Sequence, residues 1–269
     1  MAQTVVVVTG STRGLGFGLA SAFIQLGCSV VVQGRSKSSE SAAKLGAPER
    51  VLAVDGDVTR AEDVRALWGA AAQRFGRVDV WVNNAGLGGA MVPVAELPVE
   101  TCAAVVSTNL QGCVLGTRIA LEGMKAQGSG QIFNLEGFGA NPHIKRTGMA
   151  VYGATKCAVR YFTQSVSREV QGSGVCVGTL SPGVVVTEML LGQFDGVPRA
   201  QWERSRRIYN KLAERVETVA PWLAARVLEN RVNGAAIAFI NPLQMLWRIV
   251  SPFRGGRDLF AGLPPPSVT

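Results

Sequence analysis

Short runs of valine and isoleucine alternate along this chain with longer segments of helical periodicity. This alternation is typical of βαβ units, in which a helix connects two parallel strands. A chain of 269 residues fits one α/β domain, so we predict a single domain over residues 1–269 with a doubly wound, seven-stranded parallel sheet. The predicted strands lie near residues 5–9, 29–33, 51–54, 78–82, 131–135, 175–180 and 236–240. The predicted helices lie near residues 15–25, 61–75, 99–125, 150–170 and 219–229.

The composition excludes several classes of protein. Hydrophobic residues make up 47% and charged residues 17%, so the chain can bury a sizeable core and is not disordered in bulk. Five cysteines without paired spacing favour a reducing compartment over a disulfide framework, and a single histidine, His143, excludes a multi-histidine metal site. Because the first predicted strand begins at residue 5 and no apolar run is long enough to cross a bilayer, we expect a cytoplasmic protein without a cleavable leader.

A glycine-rich turn follows the first predicted strand directly and precedes a helix. Glycines permit a tight turn there and let backbone amides approach a pyrophosphate at the positive end of the helix. A glycine pattern alone is weak evidence, but this position in a βαβ unit predicts a dinucleotide site. The predicted cofactor contacts in the turn are Gly10, Ser11, Thr12, Arg13, Gly14, Leu15 and Gly16.

The end of the second predicted strand indicates which dinucleotide binds. An NAD site would place Asp or Glu there to accept a hydrogen bond from the ribose, whereas this chain has Gln33, Gly34 and Arg35. Arg13 and Arg35 suit a 2′-phosphate, because guanidinium groups form bidentate bonds with phosphate. We therefore predict NADPH. Further predicted contacts are Asp57 and Val58 at the adenine, and Asn84, Ala85 and Gly86 beneath the adenosine ribose.

Tyr152 and Lys156 lie four residues apart, on one face of a predicted helix. An unperturbed tyrosine has a pKa of about 10, too high for efficient acid–base chemistry near neutral pH. A neighbouring ammonium group favours the phenolate, so we expect Lys156 to lower the pKa of Tyr152. Tyr152 would then donate a proton as hydride reaches a carbonyl group. This spacing alone usually marks a helix surface, but together with the glycine turn it predicts a catalytic pair.

These motifs resemble the short-chain dehydrogenase/reductase family over residues 4 to about 240. The resemblance implies a single-domain Rossmann fold, oxidoreductase activity on CH–OH or C=O groups with a small-molecule substrate, and a homodimer or homotetramer. It also implies that Asn109 helps to hold a water in a proton relay and that Lys156 bonds the nicotinamide ribose. The residues expected to flank the nicotinamide are Pro182, Gly183, Val185 and Thr187.

The chain departs from this family at one catalytic position. The family has a serine after the fifth strand, thirteen residues before the tyrosine, whereas Gly137 takes that place here, fifteen residues before Tyr152. The loop is thus two residues longer and lacks the hydroxyl that polarises the carbonyl. Glu136 could substitute as a protonated acid, or could point away and brace the loop; both interpretations stay open at this point. Thr147 is a weaker candidate.

A narrower resemblance is to chlorophyll b reductases, which convert the 7-formyl group of chlorophyll b to hydroxymethyl. It rests on the segments 132–139, 150–156 and 180–191 and on the tail at 247–257. It implies a chlorophyll b or chlorophyllide b substrate, and a protein of the plastid stroma or thylakoid surface. The alternatives are an enzyme for another bulky ketone, aldehyde or secondary alcohol, and a non-catalytic NADPH-binding protein.

Two segments interrupt the alternation of strands and helices. We predict that residues 188–216 form a lid over the substrate, lined by Trp202, Tyr209 and residues 189–191, although an ordered packing helix also accounts for Trp202. Residues 241–269 form a basic, aromatic C-terminal extension, which could contact a membrane peripherally, lie in a subunit interface or close over the active site. From residue 196 onward, eleven basic residues face five acidic ones. No nucleic-acid partner is expected, because basic and aromatic residues are not interleaved.

Overall fold

The four valines near the start of the chain form a strand that is buried on both faces. β-Branched residues suit this position, because helices cover a parallel sheet on both sides. The structure, a computed structural model, describes residues 3–251, 256–262 and 267. Its strands are β1 (Val5–Val8), β2 (Ser29–Gly34), β3 (Val51–Asp55), β4 (Val80–Asn83), β5 (Gly130–Leu135), β6 (Val175–Ser181), β7 (Val185–Val186), β8 (Glu214–Arg215) and β9 (Ala236–Ala238). Its helices are α1 (Gly14–Gln25), α2 (Ser38–Lys44), α3 (Ala61–Phe75), α4 (Val99–Val106), α5 (Gly112–Gln127), α6 (Ala150–Glu169), α7 (Glu188–Gly192), α8 (Arg199–Leu212), α9 (Val216–Glu229) and α10 (Pro242–Val250).

Seven of the strands form one sheet, in the order β3-β2-β1-β4-β5-β6-β9, and each neighbouring pair is parallel. The order reverses at β1 and β4, where Val6 lies opposite Val80. At such a reversal a crevice opens beyond the carboxyl ends of the strands, and ligands bind there. The predicted doubly wound, seven-stranded parallel sheet is confirmed, and its switch point lies beside the glycine turn.

The core consists of one apolar layer on each face of the sheet. Val6 and Val8 face a layer that includes Phe23 of α1 and Leu223 of α9. Val7 faces the opposite layer, where α3 and α5 pack. Successive strand residues therefore contribute to different layers, as the two-residue period of a strand requires.

Most predicted elements lie close to their predicted positions, with three differences. The predicted helix over 99–125 consists of α4, a π-helical turn at Ser107–Gln111, and α5. The last sheet strand is shorter than predicted, since β9 ends at Ala238. The sequence prediction contained none of the helices α2, α7, α8 and α10. The sequence of α2, with three serines in seven residues, carries little apolar periodicity.

The segment predicted as a lid contains α7 and α8. Trp202 and Tyr209 are only 5% and 6% exposed, and both belong to a third apolar cluster. The Trp202 ring lies 5.1 Å from the Phe194 ring and 5.3 Å from the Phe260 ring, measured between centroids. Of the two interpretations of Trp202, the structure agrees with the ordered packing helix: its ring fills a cluster and does not line an open cleft.

The described part of the C-terminal extension packs against α8 and β8. Glu214 pairs with Arg248 at 3.1 Å and with Arg257 at 2.7 Å, and Asp258 pairs with Arg206 at 2.6 Å. The prediction for the extension also covered residues 252–255, 263–266, 268 and 269, which lie outside the described residues. Within the described ranges, no helix combines the length and apolar character needed to cross a bilayer.

Candidate active site

The glycine turn lies at the carboxyl end of β1 and has left-handed backbone angles at two positions. The φ angles of Gly10 and Gly14 are +63° and +54°, values that side chains other than glycine rarely adopt. At Gly16 a Cβ atom would collide with the carbonyl oxygen of Gly10 and with the Asn84 amide. Close packing of turn, helix and strand therefore requires glycine here, as in a dinucleotide-binding turn.

The amino end of α1 is suited to an anion. Its N-cap residue, Arg13, makes no side-chain capping bond, and the first turn contains no acidic residue. Its first N–H groups have no intrahelical partner and point out of the helix end, where the helix dipole also favours negative charge. The Thr187 methyl group would be 3.6 Å from a Cβ at Gly14, so the predicted nicotinamide loop lies against the glycine turn. Exposed Arg13 and Glu188 form an ion pair at 3.4 Å between these two segments.

The residues at the end of β2 have separate roles. The Gln33 side chain is buried and braces the turn: it accepts a bond from the Gly10 N–H at 3.0 Å and donates one to the Gly56 carbonyl at 2.6 Å. A Cβ at Gly34 would lie 2.6 Å from the Thr12 methyl group, so an Asp or Glu side chain does not fit there without a shift. Arg35 is exposed and forms no ion pair with a carboxylate of the described residues.

Asp57 lies beyond the end of β3, where the sequence predicts an adenine contact. Its Oδ1 accepts bonds from the Thr59 N–H at 2.9 Å and from the Thr59 hydroxyl at 2.8 Å. Burial opposes the charged form of Asp57, but these bonds and the nearby Arg35 and Arg60 outweigh it and lower the pKa of the carboxyl group. Asp57 therefore stays ionised at neutral pH and shapes its own loop.

The segment after β4 is hydrogen-bonded to the backbone of the glycine turn. Asn84 donates bonds from Nδ2 to the carbonyl oxygens of Thr9 at 2.8 Å and Gly10 at 3.0 Å. The Thr9 hydroxyl accepts bonds from the N–H groups of Asn84 and Ala85. The structure thus brings the predicted residues Asn84 and Ala85 to the turn, where they stabilise its backbone.

Tyr152 and Lys156 lie on α6, next to the carboxyl end of β5. The Lys156 ammonium donates a bond to the Leu135 carbonyl at 3.0 Å and lies 5.8 Å from the centroid of the Tyr152 ring. Burial raises the pKa of Tyr152 to about 12 and lowers the pKa of Lys156 to about 8. The prediction that Lys156 lowers the pKa of Tyr152 is wrong for this structure, because burial dominates and the ammonium is bonded to a backbone carbonyl.

Asn109 lies in the π-helical turn between α4 and α5 and is almost fully buried. Its side chain accepts a bond from the Leu87 N–H at 2.7 Å and donates to the Leu87 carbonyl at 2.9 Å and the Thr155 hydroxyl at 3.2 Å. The Thr155 hydroxyl in turn donates to the Tyr152 carbonyl at 2.7 Å. Asn109 therefore links the loop after β4 to the catalytic helix, while its role in a proton relay stays a prediction.

The Gly137 backbone lies directly against the phenol of Tyr152. A Cβ atom at residue 137 would collide with the Tyr152 hydroxyl oxygen and lie 3.2 Å from the ring carbon that bears it. This contact agrees with the alignment of Gly137 to the position of the family's serine. Any side chain at residue 137 would displace the Tyr152 hydroxyl. The backbone of Gly137 therefore occupies the space beside this hydroxyl, and no serine side chain fits there.

Glu136, the candidate substitute acid, pairs with Arg160 of α6. Its two carboxylate oxygens accept bonds from the guanidinium at 2.7 and 2.5 Å, and the residue is only 3% exposed. Both oxygens are thus already engaged. This arrangement favours the interpretation in which Glu136 braces the loop over the one in which it polarises a substrate.

Sequence reasoning missed several residues that shape this site. Asn134 is fully buried: its Oδ1 accepts bonds from Asn83 at 2.8 Å and Thr117 at 3.1 Å, and its Nδ2 donates to Thr163 at 2.9 Å. This network joins the ends of β4 and β5 to α5 and α6. Arg160 was also missed, although its position four residues after Lys156 places it on the same face of α6.

The sheet, the glycine turn at the amino end of α1 and the Tyr152–Lys156 pair together define a nicotinamide-dependent oxidoreductase with a Rossmann fold. The chain belongs to the short-chain dehydrogenase/reductase family: the family model described as short chain dehydrogenase matches residues 4–196. The predicted family and fold class are thereby confirmed, and the fold binds a nicotinamide cofactor.

Among curated proteins, the chain is 36% identical to the probable chlorophyll(ide) b reductase NYC1, chloroplastic, of Arabidopsis thaliana, over 94% of this chain and 54% of that protein. It thus spans about half the length of that relative. It is 32% identical to the chlorophyll(ide) b reductase NOL, chloroplastic, of the same plant, over 91% of this chain and 72% of that protein. A solved structure, the 3-ketoacyl-(acyl-carrier-protein) reductase from Brucella melitensis complexed with NADH, is 27% identical and superposes with a TM-score of 0.77. It covers 91% of this chain and 100% of that one.

Proposed function

We propose that this protein uses NADPH to reduce the 7-formyl group of chlorophyll b or chlorophyllide b to hydroxymethyl. The observation that carries the proposal is the contact between the Tyr152 phenol and the Gly137 backbone, which supplies an acid but no serine hydroxyl. A formyl group conjugated to a macrocycle is already activated and depends less on such a hydroxyl. The similarity to chlorophyll(ide) b reductases, over 94% of the chain in one case, supports the choice of the pigment as substrate.

The proposed mechanism uses Tyr152 as the general acid. Its phenol, with a pKa of about 12, is protonated at neutral pH and so holds a proton that the more basic alkoxide can take up. When bound, a reduced nicotinamide supplies the hydride that adds to the carbonyl carbon. The Tyr152 hydroxyl donates its proton to the carbonyl oxygen, which becomes the alcohol. Lys156, with a pKa of about 8, is protonated at neutral pH, and we assign it to the nicotinamide ribose.

The residues present fit a nicotinamide dinucleotide phosphate. The uncapped amino end of α1 and the glycine turn suit a pyrophosphate. Exposed Arg35 and Arg13 suit the 2′-phosphate, and the crowding of Gly34 against Thr12 disfavours the carboxylate that an NAD site uses.

Arg35→Ser is expected to weaken NADPH binding about ten- to hundredfold, because one charge-assisted contact to the 2′-phosphate is lost. NADH, which lacks that phosphate, should bind nearly as well as to the unmodified protein. Calorimetric titration with both cofactors measures the effect. Arg118→Ser, which removes an exposed cation from α5, is the matched control. Equal weakening of both cofactors by Arg35→Ser would count against a phosphate contact.

We further propose that residues 188–216 act as a lid in which α7 is the moving part, while α8 keeps its packed position. Tyr152, Leu190 and Leu191 pack against the same apolar cluster, and the Gln193 side chain lies close against Gly88. The cavity beside Tyr152 has a volume of only about 10 Å³, far below that of a pocket for a large ligand. Admission of a tetrapyrrole therefore requires α7 to move away from the segment that follows β4.

The test of the proposed function is NADPH-dependent turnover of chlorophyllide b and chlorophyll b, followed by product absorbance and compared with simple aromatic aldehydes. The 7-hydroxymethyl product is the expected result. Turnover of simple aldehydes alone would support carbonyl reductase activity but contradict the pigment as the substrate. Tight NADPH binding without any turnover would support a non-catalytic protein. Pigment turnover would also support a plastid location, which the names of the relatives state for those proteins.

A further inference from the structure

Arg146 is a partly buried cation with neutral partners. It lies in the loop between β5 and α6, and its Nη1 donates to the Tyr209 hydroxyl at 2.7 Å. Its Nη2 lies 3.5 Å from the Ser205 hydroxyl, and its guanidinium carbon lies 5.7 Å from the centroid of the Tyr209 ring. No carboxylate of the described residues pairs with it. These contacts hold the guanidinium in place but supply no negative charge to pair with it.

The loop around Arg146 is positively charged. Lys145 is exposed beside it, and no acidic residue occurs between Glu136 and Glu169. On the facing helix α8, the carboxylate of Glu203 lies 3.8 Å from Arg206, with which it forms an ion pair. The cations of the loop are therefore available to an anion that comes from outside the chain.

Arg146 and the catalytic tyrosine flank the same apolar cluster. The Met149 N–H bonds to the Arg146 carbonyl at 3.2 Å, and the Gly153 N–H bonds to the Met149 carbonyl at 2.8 Å, so the loop leads directly into α6. Tyr209, which holds the guanidinium, belongs to the cluster against which Tyr152 packs. Once α7 has moved away, a large apolar substrate with its carbonyl at Tyr152 would lie against this cluster, with its far end towards Arg146.

We propose that Arg146 binds a carboxylate of the substrate and makes the enzyme selective for acids over esters. A guanidinium has five N–H donors, of which two point to Tyr209 and Ser205, so three N–H groups remain for a carboxylate. The inference rests on the proposed function and narrows its substrate class to chlorophyllide b, which carries a free propionate, over chlorophyll b, in which that group is esterified.

The experiment compares kcat/KM for chlorophyllide b and for its methyl ester, a pair that differs only in the methylation, and therefore the charge, of one carboxyl group. The unmodified enzyme should prefer the acid. Arg146→Gln should lower the acid-over-ester ratio about ten- to hundredfold, since a bond between charged groups is lost. Arg146→Lys keeps the charge but not the planar set of N–H donors, so it should lower the ratio less. Arg207→Gln removes an exposed cation from α8 and should keep the ratio of the unmodified enzyme.

Two results would overturn the inference. One is an unmodified enzyme without a preference for the acid. The other is an equal loss of kcat/KM for acid and ester in Arg146→Gln, because Arg146 would then serve only to hold the loop against α8. A second pair, 4-formylbenzoate and its methyl ester, separates this inference from the proposed function. Tighter binding of this acid to the NADPH-bound protein, lost in Arg146→Gln, would support the carboxylate site even if neither pigment reacts.

Discussion

Tyr152→Phe is expected to lower kcat for carbonyl reduction about 10²–10⁴-fold, the usual contribution of a positioned general acid. The substitution keeps the ring that packs against the apolar cluster and removes only the hydroxyl group. Because Gly137 replaces the family's serine beside this hydroxyl, no serine hydroxyl remains at that point to act in its place. Affinity for NADPH should be nearly unchanged, so kcat and the cofactor dissociation constant are measured together.

Tyr161→Phe is the matched control, because Tyr161 lies on the same helix and is 74% exposed. It should retain the turnover of the unmodified enzyme. If Tyr152→Phe instead kept more than half of the turnover while binding NADPH normally, another group would have to donate the proton, and the assignment of Tyr152 would be wrong.

Arg160→Gln is expected to lower the free energy of unfolding by about 3 kcal/mol, the lower end of the range for breaking a buried ion pair, because the Arg160 side chain is 35% exposed. The cost arises at Glu136, whose carboxylate would remain buried without its cation. Unfolding in guanidinium chloride measures the change. Arg168→Gln, an exposed arginine on the same helix, should change stability by less than about 0.5 kcal/mol. A similar midpoint of the guanidinium chloride transition for the two variants would mean that the Glu136–Arg160 pair contributes nothing to stability.

Glu136→Gln separates the two roles that the sequence leaves open for Glu136. If this residue braces the loop, its amide keeps the shape of the side chain, and kcat should stay near that of the unmodified enzyme. If it is the substitute acid, kcat should fall while the loop keeps its structure. The bidentate bonds to Arg160 lead us to expect the first result.

Features that depend on local geometry could be predicted from the sequence. The valines of β1 predict a doubly buried strand, and Gly10, Gly14 and Gly16 predict the cofactor turn, because strand burial and left-handed φ angles restrict residue type at each position. The four-residue spacing of Tyr152 and Lys156 places both on one helix face without further information. These signals together predict the sheet, the cofactor class and the catalytic pair.

Only the tertiary structure decided which residues surround each side chain. The partners of Glu136 and Arg146 lie 24 and 63 residues away along the chain, beyond any local period. The pKa of Tyr152 depends on burial from several elements, which outweighs the charge of Lys156 that the sequence shows. Trp202 likewise packs against Phe260, contributed by the C-terminal extension. Periodicity and glycine positions therefore determined the fold and the location of the site, whereas desolvation and contacts distant in sequence decided how its groups are charged and held.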